Sequence, residues 1–130
     1  MLRHINEAEE HYESALGLLP ANAINDLGVT HNQLGTILAN AGRLDVALQH
    51  YRKSIRYKED AHNLYGAAVT RQNVAVTLAQ DGRLTDAMHY AKAALDNFQT
   101  YGDRASPEIL QTLQLVARID QALKAKGAGA

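Results

Sequence analysis

The side chains best suited to chemistry in this chain are its six histidines, His4, His11, His31, His50, His62 and His89. A neutral imidazole can ligate a transition metal or move a proton near neutral pH. A helical metal site needs such ligands one turn apart, joined by a carboxylate or a further imidazole. No His-x-x-x-His pair occurs. His11 and His50 each precede a tyrosine, Tyr12 and Tyr51, at matching places in a repeat, which fits a structural role. No metal site and no cofactor is expected.

The other reactive residue types are equally unassembled. The absence of cysteine excludes disulfides, thiolate metal sites and a thiol nucleophile. Ser14, Ser54 and Ser106 read as helix-surface, helix-crossing and helix-capping residues. Glu9-Glu10 and Glu59-Asp60 fall at exposed helix ends, with nothing apolar to raise a carboxyl pKa. No nucleophile elbow, phosphate loop or dinucleotide fingerprint appears, and Gly127-Ala128-Gly129-Ala130 is a tail. The chain is not expected to be an enzyme.

One basic, aromatic-flanked stretch, Arg52, Lys53, Arg56 and Lys58 with Tyr51 and Tyr57, has the residue types of a phosphate contact. A net charge of −1 and a pI near 6.6 give it no wider basic surface. It reads as a solvated outer face balanced by Glu59 and Asp60, with Tyr51 turned into the core. Neither nucleic acid nor membrane is an expected partner. No run reaches the ~20 apolar residues of a membrane span. His4, Glu7, Glu9 and Glu10 interrupt any apolar leader, so the expected location is cytoplasmic.

The elements that carry these residues repeat about every forty positions. Ala39-Asn40-Ala41-Gly42-Arg43-Leu44-Asp45-Val46-Ala47-Leu48 returns as Ala79-Gln80-Asp81-Gly82-Arg83-Leu84-Thr85-Asp86-Ala87-Met88. Ile5 to Tyr12 lines up with Leu44 to Tyr51 as an earlier half-copy. A period of this size marks a stacked helical array, because one unit cannot bury its apolar face alone. Apolar spacing predicts helices over about 3–19, 23–41, 44–59, 61–80 and 84–101. A sixth opens at Ser106-Pro107-Glu108 and carries Ile109, Leu110, Leu113, Val116, Ile119 and Leu123. Pro20 stops the first helix, and Gly42 and Gly82 stop the second and fourth in left-handed caps. The end from Lys124 reads as frayed.

These residues resemble tetratricopeptide repeats. Glu7-Ala8, Tyr12, Ala15-Leu16 and Pro20 read like the second helix of one unit. Leu34-Gly35, Leu38, Gly42, Leu44, Ala47, Tyr51 and Ser54-Ile55 form a full unit. Val74-Ala75, Leu78, Gly82, Leu84, Ala87, Ala91 and Ala94-Leu95 form the next. The resemblance covers about 5–98. The period exceeds the common length of about 34 residues, and the surplus near Ala23–Leu27 and Ala61–Ala67 is expected to lengthen the first helix of each pair. His31 and Arg71 stand where a large aromatic is common. The first unit lacks its first helix, so the chain is expected to be a C-terminal portion of a longer protein, or to be covered there by another chain.

The resemblance implies an all-α, right-handed superhelical array of antiparallel helix pairs with a C-terminal capping helix. The expected layout is one domain over 1–126, with a half-unit at 3–20, full units at 22–60 and 61–101, a capping helix at 106–125 and a flexible tail at 127–130. It further implies a protein-interaction module that takes a peptide or helix of a partner protein on its concave face. Steps of three and four along the inner helices give Asn25, Asn32, Thr36 and Asn40, then His62, Tyr65, Gln72, Val76 and Gln80. Amide-rich, nearly uncharged surfaces suit an extended peptide backbone. Capture of a C-terminal carboxylate is not expected, because Asn32 and Thr36 stand where that clamp needs Lys and Asn. The alternative reading is an oligomerisation or regulatory segment of a larger signalling protein, with a homo-oligomer formed through residues 5–19 or the helix at 107–125.

Overall fold

Positive-φ residues fall at His62 and at Gly42, Gly82 and Gly102 in the computed structural model, so the backbone turns every 20 residues. The structure describes residues 2–20 and 22–128, and the side chains of 6–20 and 22–127. Between the turns run α1 (Leu2–Leu18), α2 (Ile24–Asn40), α3 (Leu44–Asp60), α4 (Leu64–Gln80) and α5 (Leu84–Gln99). A 3-10 turn, Gly102–Ala105, leads into α6 (Ser106–Ala128). There is no strand among the described residues, and the protein is all-α.

The turns share one hydrogen-bond scheme. After α2, Gly42 N–H donates to Ala39 O at 3.0 Å and Arg43 N–H to Leu38 O at 2.9 Å. After α4, Gly82 and Arg83 repeat this on Ala79 and Leu78. After α3, His62 donates to Glu59 O and Asn63 to Lys58 O at 2.8 Å. This is the paired capping pattern in which a left-handed residue satisfies the last carbonyls of a helix. Glycine takes that conformation without strain at 42 and 82, whereas His62 does so at φ 58° with a side chain. A turn this short returns the chain alongside itself. Gly35 accordingly faces Tyr51 while Gly28 faces Ser54 and Tyr57, which makes α2 and α3 antiparallel.

Helix limits follow the apolar spacing closely, though α4 begins at Leu64 and not near residue 61. The helices α2, α3 and α4 have 17 residues each and α5 has 16, so the extra length of the unit is shared by both helices of a pair. Ser106 lies inside continuous helical backbone, and its hydroxyl donates to Asp103 O instead of capping a free N–H. The helix continues through Lys124 to Ala128, past the point where the composition suggested fraying, while residues 129 and 130 lie outside the described residues.

Packing divides the chain into two compact units, one up to Thr70 and one from Arg71 onward. In the first, α1 packs on α2 and α2 on α3. Its core holds Leu27, Leu34, Leu38, Ala47, Leu48, Tyr51, Ile55, Ala67 and Ala68. On α1, Ala8, Tyr12, Ala15, Leu16 and Leu19 are half-buried; the Ile5 side chain lies outside the described residues. Arg43 joins Glu9 at 2.8 Å, tying the turn after α2 to α1. The second unit buries Val74, Ala75, Leu78, Ala87, Ala91, Ala94, Phe98, Ala105, Leu115 and Ile119. On α6, Ile119 is buried and Ile109, Val116 and Leu123 are half-buried, whereas Leu110 and Leu113 are 58% and 46% exposed and Thr112 and Leu115 take the inward places.

The repeat exchanges side chains at matching places. In the first unit a Cβ on Gly35 would lie 2.6 Å from the Tyr51 ring, so only glycine admits the tyrosine. Forty positions later the same places hold the alanines 75 and 91, both fully buried. Gly28 leaves room for Lys58, whose Cγ would be 2.8 Å from an added Cβ; forty positions later the sequence has Ala68 and Phe98.

Candidate functional site

Amide side chains on α2 and α4 do not all face solvent. In the first unit Asn63 Nδ2 donates to Asn25 Oδ1 at 2.9 Å. Thr70 Oγ1 lies 3.1 Å from both Asn32 Oδ1 and Ser54 Oγ, and Ser54 Oγ donates to Gly28 O at 2.7 Å. Tyr51 donates its phenolic proton to Thr36 Oγ1 at 3.1 Å, and Thr36 donates to Asn32 O. Asn32 and Thr36 are thus half-buried ties between helices, while Asn25, Asn40, His62 and Tyr65 remain exposed. Val29 is 39% exposed and lies one helical turn from Asn25. Amide counting passes over it because a lone valine on α2 reads as core.

In the second unit Thr112 Oγ1 on α6 lies 3.4 Å from Gln72 Oε1, and Thr112 donates to Glu108 O at 2.7 Å. Gln72 therefore faces α6 and is half-buried. Arg71 donates to Asn97 Oδ1 at 2.7 Å. Val76 and Gln80 are exposed and border a cleft of about 260 Å³. Its other walls are Ala79, Leu84, Leu115, Arg118, Ile119 and Ala122. Leu115 and Ile119 are buried, so the floor is aliphatic. Sequence spacing found the α4 side of this cleft; the α6 side needed the fold, since Leu115 and Arg118 belong to no repeat motif.

Two polar features of the first unit escape a reading by residue type. Lys58 is buried at 5% exposure, not solvated with Arg52, Lys53 and Arg56, which are exposed. Its Nζ donates to Gly66 O at 3.3 Å and Thr70 Oγ1 at 3.2 Å, and burial lowers its pKa. The stem passes between two glycines, since a Cβ on Gly66 would come within 2.9 Å of Lys58 Cδ.

His31 and His50 bring their Nδ1 atoms to 2.9 Å, with ring centroids 5.2 Å apart and planes 28° apart. That centroid distance is the N···N distance plus a ring radius on each side. The rings therefore meet edge to edge in a shared hydrogen bond and are not stacked face to face. One ring must carry the Nδ1 proton and the other must accept it. Tyr57 lies parallel to His31 at 5.7 Å. Burial, then His50 and Lys53, lower the His31 pKa to about 4. Burial and Lys53 lower that of His50, and Glu9 opposes them. Among the described residues no group of three or more His, Cys, Asp or Glu could hold a metal ion.

A family model described as tetratricopeptide repeat matches residues 26–100, more than half of the chain. The chain belongs to the tetratricopeptide repeat family. Comparison with curated proteins and with solved structures gave no match. Tetratricopeptide repeats generally mediate protein–protein interactions and are typically non-catalytic. No described helix is long and apolar enough to cross a membrane. The matched range contains the approach of Gly35 to Tyr51 and the turns at Gly42 and Gly82. His31 and Arg71 each have a polar partner on the following helix, His50 and Asn97.

Proposed function

We propose that this tetratricopeptide repeat chain is a non-catalytic interaction module that docks a peptide or helix of a partner protein on the exposed faces of its inner helices. The carrying observation is the cleft bordered by Val76 and Gln80, where exposed residues flank an aliphatic floor. Buried apolar contacts supply most of the affinity at such sites, and a rigid helical scaffold keeps the ordering cost low. In the first unit, the exposed Asn25, Asn40, His62 and Tyr65 are the candidate contacts. Asn32, Thr36 and Gln72 act on the ligand indirectly, by holding the helices in place. The test is recovery of partners from the source cell's lysate by immobilised wild type and by a Val76→Asp/Gln80→Lys variant. The reading expects a protein retained by wild type and lost with the variant while circular dichroism stays unchanged. An identical catch from both forms would sink it.

Exposed Leu110 and Leu113 support a second reading, self-association through α6. It expects a concentration-dependent dimer in light scattering that Leu110→Lys/Leu113→Lys abolishes; a strict monomer excludes it.

A further inference from the structure

We infer that the cleft of the second unit takes an aliphatic side chain of a partner peptide that carries an Asp or Glu beside it, with Arg118 receiving the carboxylate. The inference rests on the docking role proposed above and adds the chemistry of the occupant. Three observations support it. The first is size: the cleft, at about 260 Å³, exceeds the roughly 150 Å³ of an apolar cavity that accepts benzene, and stays below the ~300–1,000 Å³ usual for small-molecule pockets. One leucine- or methionine-sized side chain with adjoining backbone fits that space. The second is lining: Val76, Leu84, Leu115 and Ile119 offer only hydrocarbon, so a polar side chain would enter without a partner.

The third is charge. Arg118 is exposed on α6, borders the cleft, and makes no hydrogen bond or ion pair among the described residues. Nearby charges neutralise each other, as Asp81 pairs with Arg83 at 2.9 Å and Asp120 with Lys124 at 2.9 Å. One uncompensated guanidinium is left at the rim of an aliphatic cleft. A guanidinium binds a carboxylate in a bidentate fork, and partial desolvation beside hydrocarbon strengthens the pair. Gln80, also on the rim, can donate to and accept from the backbone of the same peptide. An aliphatic residue next to an acidic one satisfies floor and rim together, whereas a basic peptide would meet Arg118 with like charge.

A displayed random dodecapeptide library panned against the whole chain tests this. Selected peptides should share an aliphatic residue within two positions of Asp or Glu. Synthetic copies should lose roughly tenfold in affinity to Arg118→Glu and to Val76→Asp, about 1.4 kcal/mol each. Changing the peptide's acid to Lys should restore binding to Arg118→Glu, a charge exchange that a folding defect cannot mimic. Peptides without that pattern, or binding indifferent to Arg118→Glu, would overturn the inference. If those peptides still lost affinity to Val76→Asp/Gln80→Lys, the docking role would stand and only its chemistry would fall. Binding indifferent to both sets of variants would remove the role as well.

Discussion

Side chains in the first unit hold an acid-sensitive contact. The His31–His50 hydrogen bond needs a bare Nδ1 on one ring, and Lys53, Glu9 and Tyr57 are the charged or titratable neighbours that bear on the pair. The folded pKa of His31, about 4, lies below its ordinary 6.5. Between those values the unfolded chain binds a proton that the folded chain refuses, so the contribution of His31 to stability is full above pH 6.5 and is lost as pH falls through about 4. Urea midpoints measured across that range should drop steadily in wild type and fall less in His31→Phe, which keeps an aromatic on Tyr57 but cannot titrate. Equal slopes for the two proteins would contradict the assignment. Lys58 gives the converse test. Its counterpart forty positions on is buried Phe98, and its amine has only Gly66 O and Thr70 Oγ1 as acceptors among the described residues. Lys58→Met should therefore raise stability by on the order of 1 kcal/mol in urea unfolding, since a buried charge gives way to hydrocarbon. A clear loss of stability would show that those hydrogen bonds outweigh desolvation. Residue type concealed this lysine, because charge reads as surface. The signals were its alignment with Phe98 and the glycines 28 and 66.

Turns decide the behaviour of whole helices. Gly42 and His62 hold the same left-handed place in successive caps, at φ 80° and 58°. Gly42→Ala should cost about 1 kcal/mol, while His62→Gly should gain roughly 0.5–1 kcal/mol by relieving the same strain. Thermal unfolding would show the two midpoints moving in opposite directions; a loss in both would mean that His62 makes contacts worth more than its strain. The glycines at 42 and 82 made their turns legible in sequence and fixed the helix limits beside them. Its residue type hides the turn at His62, so apolar spacing runs α4 from residue 61 although the helix starts at Leu64. With it hidden, the chain shows a forty-residue period, whereas the backbone repeats every 20. The inward face of α6 is only partly legible for a related reason. Six apolar residues there allow two faces, and only α5 and α4 determine that Thr112, Leu115 and Ile119 turn inward.

For the molecule as a whole, membership of the tetratricopeptide repeat family was readable from small residues and glycines at fixed spacing. The candidate surface was only partly readable. Spacing on α2 and α4 placed Asn25, Asn40, Tyr65, Val76 and Gln80 on exposed faces, but could not tell that Asn32, Thr36 and Gln72 are engaged between helices. A polar side chain looks the same in sequence whether its partner is a ligand or the neighbouring helix. Hydrogen exchange of the chain with and without a partner recovered from lysate tests the central claim most directly. Docking in the second unit predicts slowed exchange over residues 76–84 and 115–122. Protection confined to α1 or to the Leu110 and Leu113 face, with residues 76–84 unchanged, would contradict it.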